Sequence, residues 1–293
     1  MPLLAQAALD HVAIATEDRA STDGKQECRM YRKIWWGDFA ATEFDTIDAN
    51  GTIAVVPVAA IEQHGPHLPL STDTAIMEGM LATLIPQIPQ DLDIRILPIQ
   101  AVGKSNEHLY APGTLTIPAT TLIDHWLELG HSIARAGIRK LVFVTSHGGN
   151  EEIMAIVTRE LRVRARMMAV KSSWSRFGLP DGLFSDTERR YGIHGGDVET
   201  SLMLHFRPEL VAMDKAENFV SAVSRAEEQF DMLKHTGPFG FAWSAVDLNP
   251  SGTVGEAAEA TAEKGAHTAK LQTDGFLALL QEVARARLDD WIA

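Results

Sequence analysis

Residues 52–62, TIAVVPVAAIE, form a nearly unbroken apolar run rich in β-branched side chains and closed by an acid. A run with no polar face fits a strand covered on both sides, the situation of parallel sheets flanked by helices. The theme repeats along the chain. IRILPIQAVG (94–103), KLVFVT (140–145) and MMAVKSSW (167–174) read as further strands. Between them lie helical stretches at 73–84, 121–137 and 151–166, followed by VETSLMLHF (198–206) and a long closing helix at about 257–292. In the 121–137 stretch, Leu122, Trp126, Leu129 and Ile133 share one face, Thr120 or Thr121 offers a cap, and Gly137 supplies a stop. Strands alternating with helices predict an α/β fold with a mainly parallel sheet, whose ligands gather beyond the carboxyl ends of the strands.

Composition narrows the function. The 293 residues carry a net charge of −13, which gives nucleic acid and anionic membrane surfaces nothing to attract. The single cysteine, Cys28, can form neither an internal disulfide nor a thiolate metal cluster. The apolar runs are about half of what a bilayer requires, and the first twenty residues lack a basic start. The expectation is a soluble, cytoplasmic protein. Residues 1–50 read as a leading arm, with Trp35 and Trp36 as its docking side chains, and 51–293 as one α/β domain.

Three polar clusters fall at strand ends or helix starts. In the first, Glu62 and His64 stand two apart after a strand, and a proline-pinned loop returns the chain to Asp73 at the next helix. Two carboxylates and an imidazole suit Zn²⁺, Mn²⁺ or Fe²⁺. The second, Ser146-His147-Gly148-Gly149-Asn150, follows KLVFVT and also reads as a tight strand-to-helix turn capped by Asn150. The third, His194-Gly195-Gly196-Asp197-Val198-Glu199-Thr200, opens a helix, and its Asp197 and Thr200 also read as plain capping residues. A serine-hydrolase elbow and a dinucleotide fingerprint are both missing.

The pattern E-x-H-G-x-H-L-P with D-T, then H-G-G-N, then H-G-G-x-x-E-T-S, resembles the creatininase family of metal-dependent amidohydrolases. The resemblance implies a compact three-layer α/β/α fold and two divalent ions, Zn²⁺ and/or Mn²⁺. It implies Glu62, His64, Asp73, His147 and Glu199 as ligands, Asp73 as their bridge, and His194 as the proton-transferring residue. It also implies a homo-oligomer, a hexamer in many members. The implied reaction is attack of activated water on a carbonyl of a small cyclic substrate, with amide C–N cleavage. Gly149, Arg190 and Ile193 stand where creatininase itself has other residues, which keeps a second reading open: a C–C hydrolase opening a cyclic polyhydroxy diketone such as 3-dehydro-scyllo-inosose. A third is a non-catalytic scaffold of the same fold. Arg190, Tyr191, Trp174 and His108 are candidates to touch substrate, with Lys104–His108 placed to line the mouth.

Overall fold

The computed structural model describes residues 32–226, 229–287 and 290. Most of the expected arm, residues 1–31 with Cys28, lies outside them. Four strands, β1 (Ile53–Val58), β2 (Ile94–Ile96), β3 (Lys140–Thr145) and β4 (Met168–Ser173), form a wholly parallel sheet in the order β2-β1-β3-β4. All six residues of β1 and all six of β3 are buried, as their unbroken apolar runs require of central strands. Helices α1 (Thr72–Leu84), α2 (Ala119–Arg135) and α3 (Glu151–Ala165) make the crossovers.

Alternation along the strands sorts the core into two halves. Ile53, Val55, Val142 and Val144 face one side, packed with α1, with α5 (Asp197–Phe206) and with the closing helix α8 (Ala262–Arg285). Ala54, Val56, Leu141 and Phe143 face the other, against Leu122, Trp126 and Ile133 of α2 and Val157 and Leu161 of α3. The result is a three-layer α/β/α fold. Short helices α4 (Asp186–Tyr191), α6 (Val223–Ala226) and α7 (Ala245–Leu248), and an antiparallel pair β5 (Asn218–Phe219) and β6 (Gly255–Glu256), complete it. No helix among the described residues is long and apolar enough to cross a membrane.

Some boundaries differ from expectation for local reasons. The second strand stops at Ile96, because Pro98 has no N–H for the ladder, and the chain rejoins β1 only through a bridge at Gln100. Helix α2 begins at Ala119 behind Pro118, so both threonines fall inside its first turn and neither caps it. The closing helix starts at Ala262, where the Thr261 hydroxyl accepts from Lys264 N; residues Ala257–Glu259 form a separate turn. Ile34 is buried against the sheet and its carbonyl accepts from Ile96 N, so the chain just before Trp36 is seated on the edge strand β2.

Candidate metal centre

The side chains named by the three clusters meet beyond the carboxyl ends of β1 and β3. Glu62 and His64 lie on the extended segment after β1, and His147 follows β3. Asp73 and Glu199 sit in the first turns of α1 and α5, where the positive ends of the helix dipoles favour carboxylates. Donor atoms of Glu62, Asp73 and His147 lie within 4.8 Å of one another, as do those of His64, Asp73 and Glu199, and those of Glu62, His64 and His194.

Main-chain carbonyls fix how each imidazole faces this cluster. His64 Nδ1–H donates to Glu62 O at 3.0 Å, leaving Nε2 3.6 Å from Asp73 Oδ1 and 3.7 Å from Glu199 Oε2. His147 Nε2–H donates to Lys104 O at 2.8 Å, leaving Nδ1 3.2 Å from Glu62 Oε1 and 3.4 Å from Asp73 Oδ2. A carbonyl only accepts, so the hydrogen on each bonded nitrogen is settled, and the opposite nitrogen is offered to the carboxylates. Asp73 therefore addresses one histidine with each oxygen.

Loop-to-loop hydrogen bonds hold this arrangement. Asn150 is fully buried; its Oδ1 accepts from Lys104 N at 3.0 Å, and its Nδ2 donates to Ala59 O at 3.0 Å. It thereby staples three strand ends together rather than capping a helix. Ser146 Oγ donates to Asp73 O at 2.8 Å. At the third cluster, Gly195 adopts φ +64°, a left-handed conformation costly for other residues, and its N–H donates to Glu199 Oε2 at 2.6 Å. Asp197 pairs with Lys264 and Ser201, tying α5 to α8, and Thr200 Oγ1 meets His67 Nε2 at 2.9 Å.

The donor set passes the test for a cation. Glu62 Oε1 and Oε2, His64 Nε2 and Asp73 Oδ2 are buried, and none meets hydrogen-bond geometry with a described neighbour. Such a gathering of buried oxygen and nitrogen donors, without partners of their own, suits a divalent ion bound by carboxylates and imidazoles. Without metal, the carboxylates hold protons on the rings. Burial opposes the charge, yet Asp73 and Glu199 push His64 up to about 9, and Glu62 and Asp73 push His147 up to about 10. Burial favours protonation of Glu62 too, but the facing His147 holds it well below the usual carboxylate range. Burial pushes Glu199 up to about 7, with Asp73 adding repulsion.

His194 differs. Its Nε2–H donates to Gln63 O at 2.7 Å, its Nδ1 lies 3.6 Å from Glu62 Oε1, and its ring centroid lies 4.1 Å from that of His64, tilted by 34°. Burial and the charge of His64 drive its pKa well below the ordinary value, so it stays neutral. His108, buried, has its ring centroid 4.3 Å from that of His194, tilted by 30°, and presents Nε2 3.5 Å from Glu62 Oε1. The Gln63 amide sets its tautomer. Gln63 Oε1 accepts from Gly65 N and Nε2 donates to Gly252 O, so Nε2–H also faces His108 Nδ1 at 3.1 Å and makes that nitrogen the acceptor.

The remaining candidates go elsewhere. Trp174 is 3% exposed and packs edge-on against Phe276 in the core, which corrects its reading as a substrate contact: an aromatic at a strand end was taken by the helix layer instead. Arg190 and Tyr191 end α4, with the guanidinium over the Tyr191 ring and that ring stacked on His235.

The sequence profile of the creatininase family (creatinine amidohydrolase) matches residues 37–280. The chain belongs to the creatininase family. It is similar to the mycofactocin precursor peptide peptidase of Mycolicibacterium smegmatis, 37% identical over 165 residues, 56% of this chain and 61% of that one. The chain thus aligns with about three fifths of that relative's length. The peptidase of the same name from Mycobacterium ulcerans is 31% identical over 78% of this chain and 84% of its own. Among solved structures, a creatininase in a manganese form shares the fold, with a TM-score of 0.66 at 22% identity, over 87% of this chain and 100% of that one.

Proposed function

We propose that the protein is a binuclear metal-dependent amidohydrolase, with Glu62, His64, Asp73, His147 and Glu199 as ligands and His194 as the proton-transferring residue. The observation that carries this reading is Asp73, whose two oxygens face His64 and His147 separately, the disposition of a carboxylate shared between two ions. Divalent ions bound there would lower the pKa of a water and polarise the carbonyl under attack.

The chain's own groups do the rest. Gln63 O holds the His194 ring so that Nδ1, not Nε2, faces the centre. Because Nε2 carries the ring hydrogen, Nδ1 keeps its lone pair to take a proton from the attacking water and return it to the leaving nitrogen. The 9% exposure of His194 and near-complete burial of Glu62, His64 and Asp73 exclude bulk water, which strengthens each interaction.

The substrate class is an amide. The relatives at 31–37% identity are named for a peptide, which supports a peptide amide over a small cyclic one. The test is amine release by metal-loaded protein across a panel of short peptides, formamides and cyclic amides, with cyclic diketones as the comparison. Amine release that disappears with chelator is expected. Turnover confined to diketones, without amine, would replace the amidohydrolase reading with C–C hydrolysis.

A further inference from the structure

The turn Asn106–His108, between β2 and α2, brings to the centre a carboxylate that belongs to none of the three clusters. Glu107 Oε1 stands 3.7 Å from His147 Nε2, the nitrogen turned away from Glu62 and Asp73, and it reaches the centre from the Glu62 side: Glu62, Glu107 and His108 each offer a donor atom within 4.8 Å of the others. In this trio His108 is already committed: Nδ1 accepts from Gln63, so in the neutral ring Nε2 carries the hydrogen and has no lone pair for an ion. Glu107 and Glu62 remain.

Glu107 occupies space that residue 149 leaves open. A Cβ on Gly149 would lie 2.4 Å from Lys104 O, 2.5 Å from His147 Nε2 and 2.8 Å from Glu107 Oε1, so a side chain there would collide with all three. The turn itself is fastened on both sides. Ser244 Oγ donates to Glu107 O at 3.0 Å, and Ser105 N donates to Thr116 Oγ1 at 2.8 Å. The nearby Lys104 ammonium turns to Asn106 Oδ1. Charge points the same way. Glu62, Asp73 and Glu199 leave two divalent ions with surplus positive charge in a buried site, and a fourth carboxylate balances it. Both oxygens of the fully buried Glu62 lack a hydrogen-bond partner, so a cation belongs beside Glu62, within reach of the Glu107 carboxylate.

We propose that Glu107 is a further ligand of the ion held by Glu62, Asp73 and His147. This rests on the binuclear reading above. The test compares full-length wild type, Glu107→Gln, Glu107→Asp and Asp73→Asn. Bound Zn²⁺ is counted by mass spectrometry after dialysis, affinity is measured by chelator competition, and the visible spectrum is taken of each protein loaded with Co²⁺.

Wild type is expected to hold two ions. Glu107→Gln should bind one of them at least about 10-fold more weakly and change the Co²⁺ spectrum, with Glu107→Asp intermediate. Wild-type affinity for both ions and an unchanged spectrum in Glu107→Gln would overturn the proposal. A wild type that never exceeds one ion would overturn the binuclear reading instead, and an Asp73→Asn protein that keeps two would overturn Asp73 as the ligand the two ions share. The affinity and spectral comparison would still decide Glu107 for the remaining ion.

Discussion

Asp73 Oδ2 stands 3.4 Å from His147 Nδ1, linking the first turn of α1 to the end of β3. The other Asp73 oxygen faces His64, so one short side chain joins the two halves of the candidate centre. A shared ligand makes the halves interdependent. Asp73→Asn should therefore release both ions, whereas His147→Ala should release one and weaken the other. Metal counting on dialysed protein checks this.

In the proposed mechanism His194 transfers protons rather than coordinating an ion. His194→Ala should keep its metal and lose activity by about 10²–10⁴-fold, the usual weight of general acid–base catalysis. Steady-state kinetics together with metal analysis of the same sample separates the two roles.

Metal uptake should be coupled to pH. In the metal-free protein, His64 and His147 hold protons up to about 9 and about 10, and an ion must displace them. Raised pKa values mean that the metal-free form holds these protons across neutral pH. Apparent affinity should therefore climb as pH rises from 6 to 9. Calorimetry in buffers of different ionisation enthalpy should detect proton release upon binding Zn²⁺.

Asn150 ties Ala59, Lys104 and the end of β3 together, and Lys104 O in turn orients His147. Asn150→Ala leaves a buried N–H and a buried carbonyl unpaired. It should cost about 2 kcal/mol or more in stability and about 10-fold in metal affinity. Denaturant unfolding with and without metal measures both effects.

Much of this arrangement is legible in the chain. The apolar runs at Ile53–Val58 and Lys140–Thr145 carry the pattern of central parallel strands because both of their faces are covered. Glu62, His64, Asp73, His147, His194 and Glu199 stand at strand ends and helix starts, which a parallel sheet brings to one edge. The orientation of each ring is not legible, since it depends on carbonyls of Glu62, Lys104 and Gln63 that only folding brings near. The approach of Glu107 depends on the missing side chain of Gly149, a contact between distant loops with no local signature. Trp174 shows the converse. A tryptophan closing a strand fits a pocket rim or a core equally well, and the burial of Phe276 beside it decided the matter.

The central claim is that Asp73 lies between two ions. Anomalous diffraction from crystals loaded with Zn²⁺ or Mn²⁺ tests it most directly. The account predicts two peaks, one between Asp73 and the His64–Glu199 pair, the other between Asp73 and the Glu62–His147 pair. A single peak, or peaks that Asp73 does not touch, would contradict it.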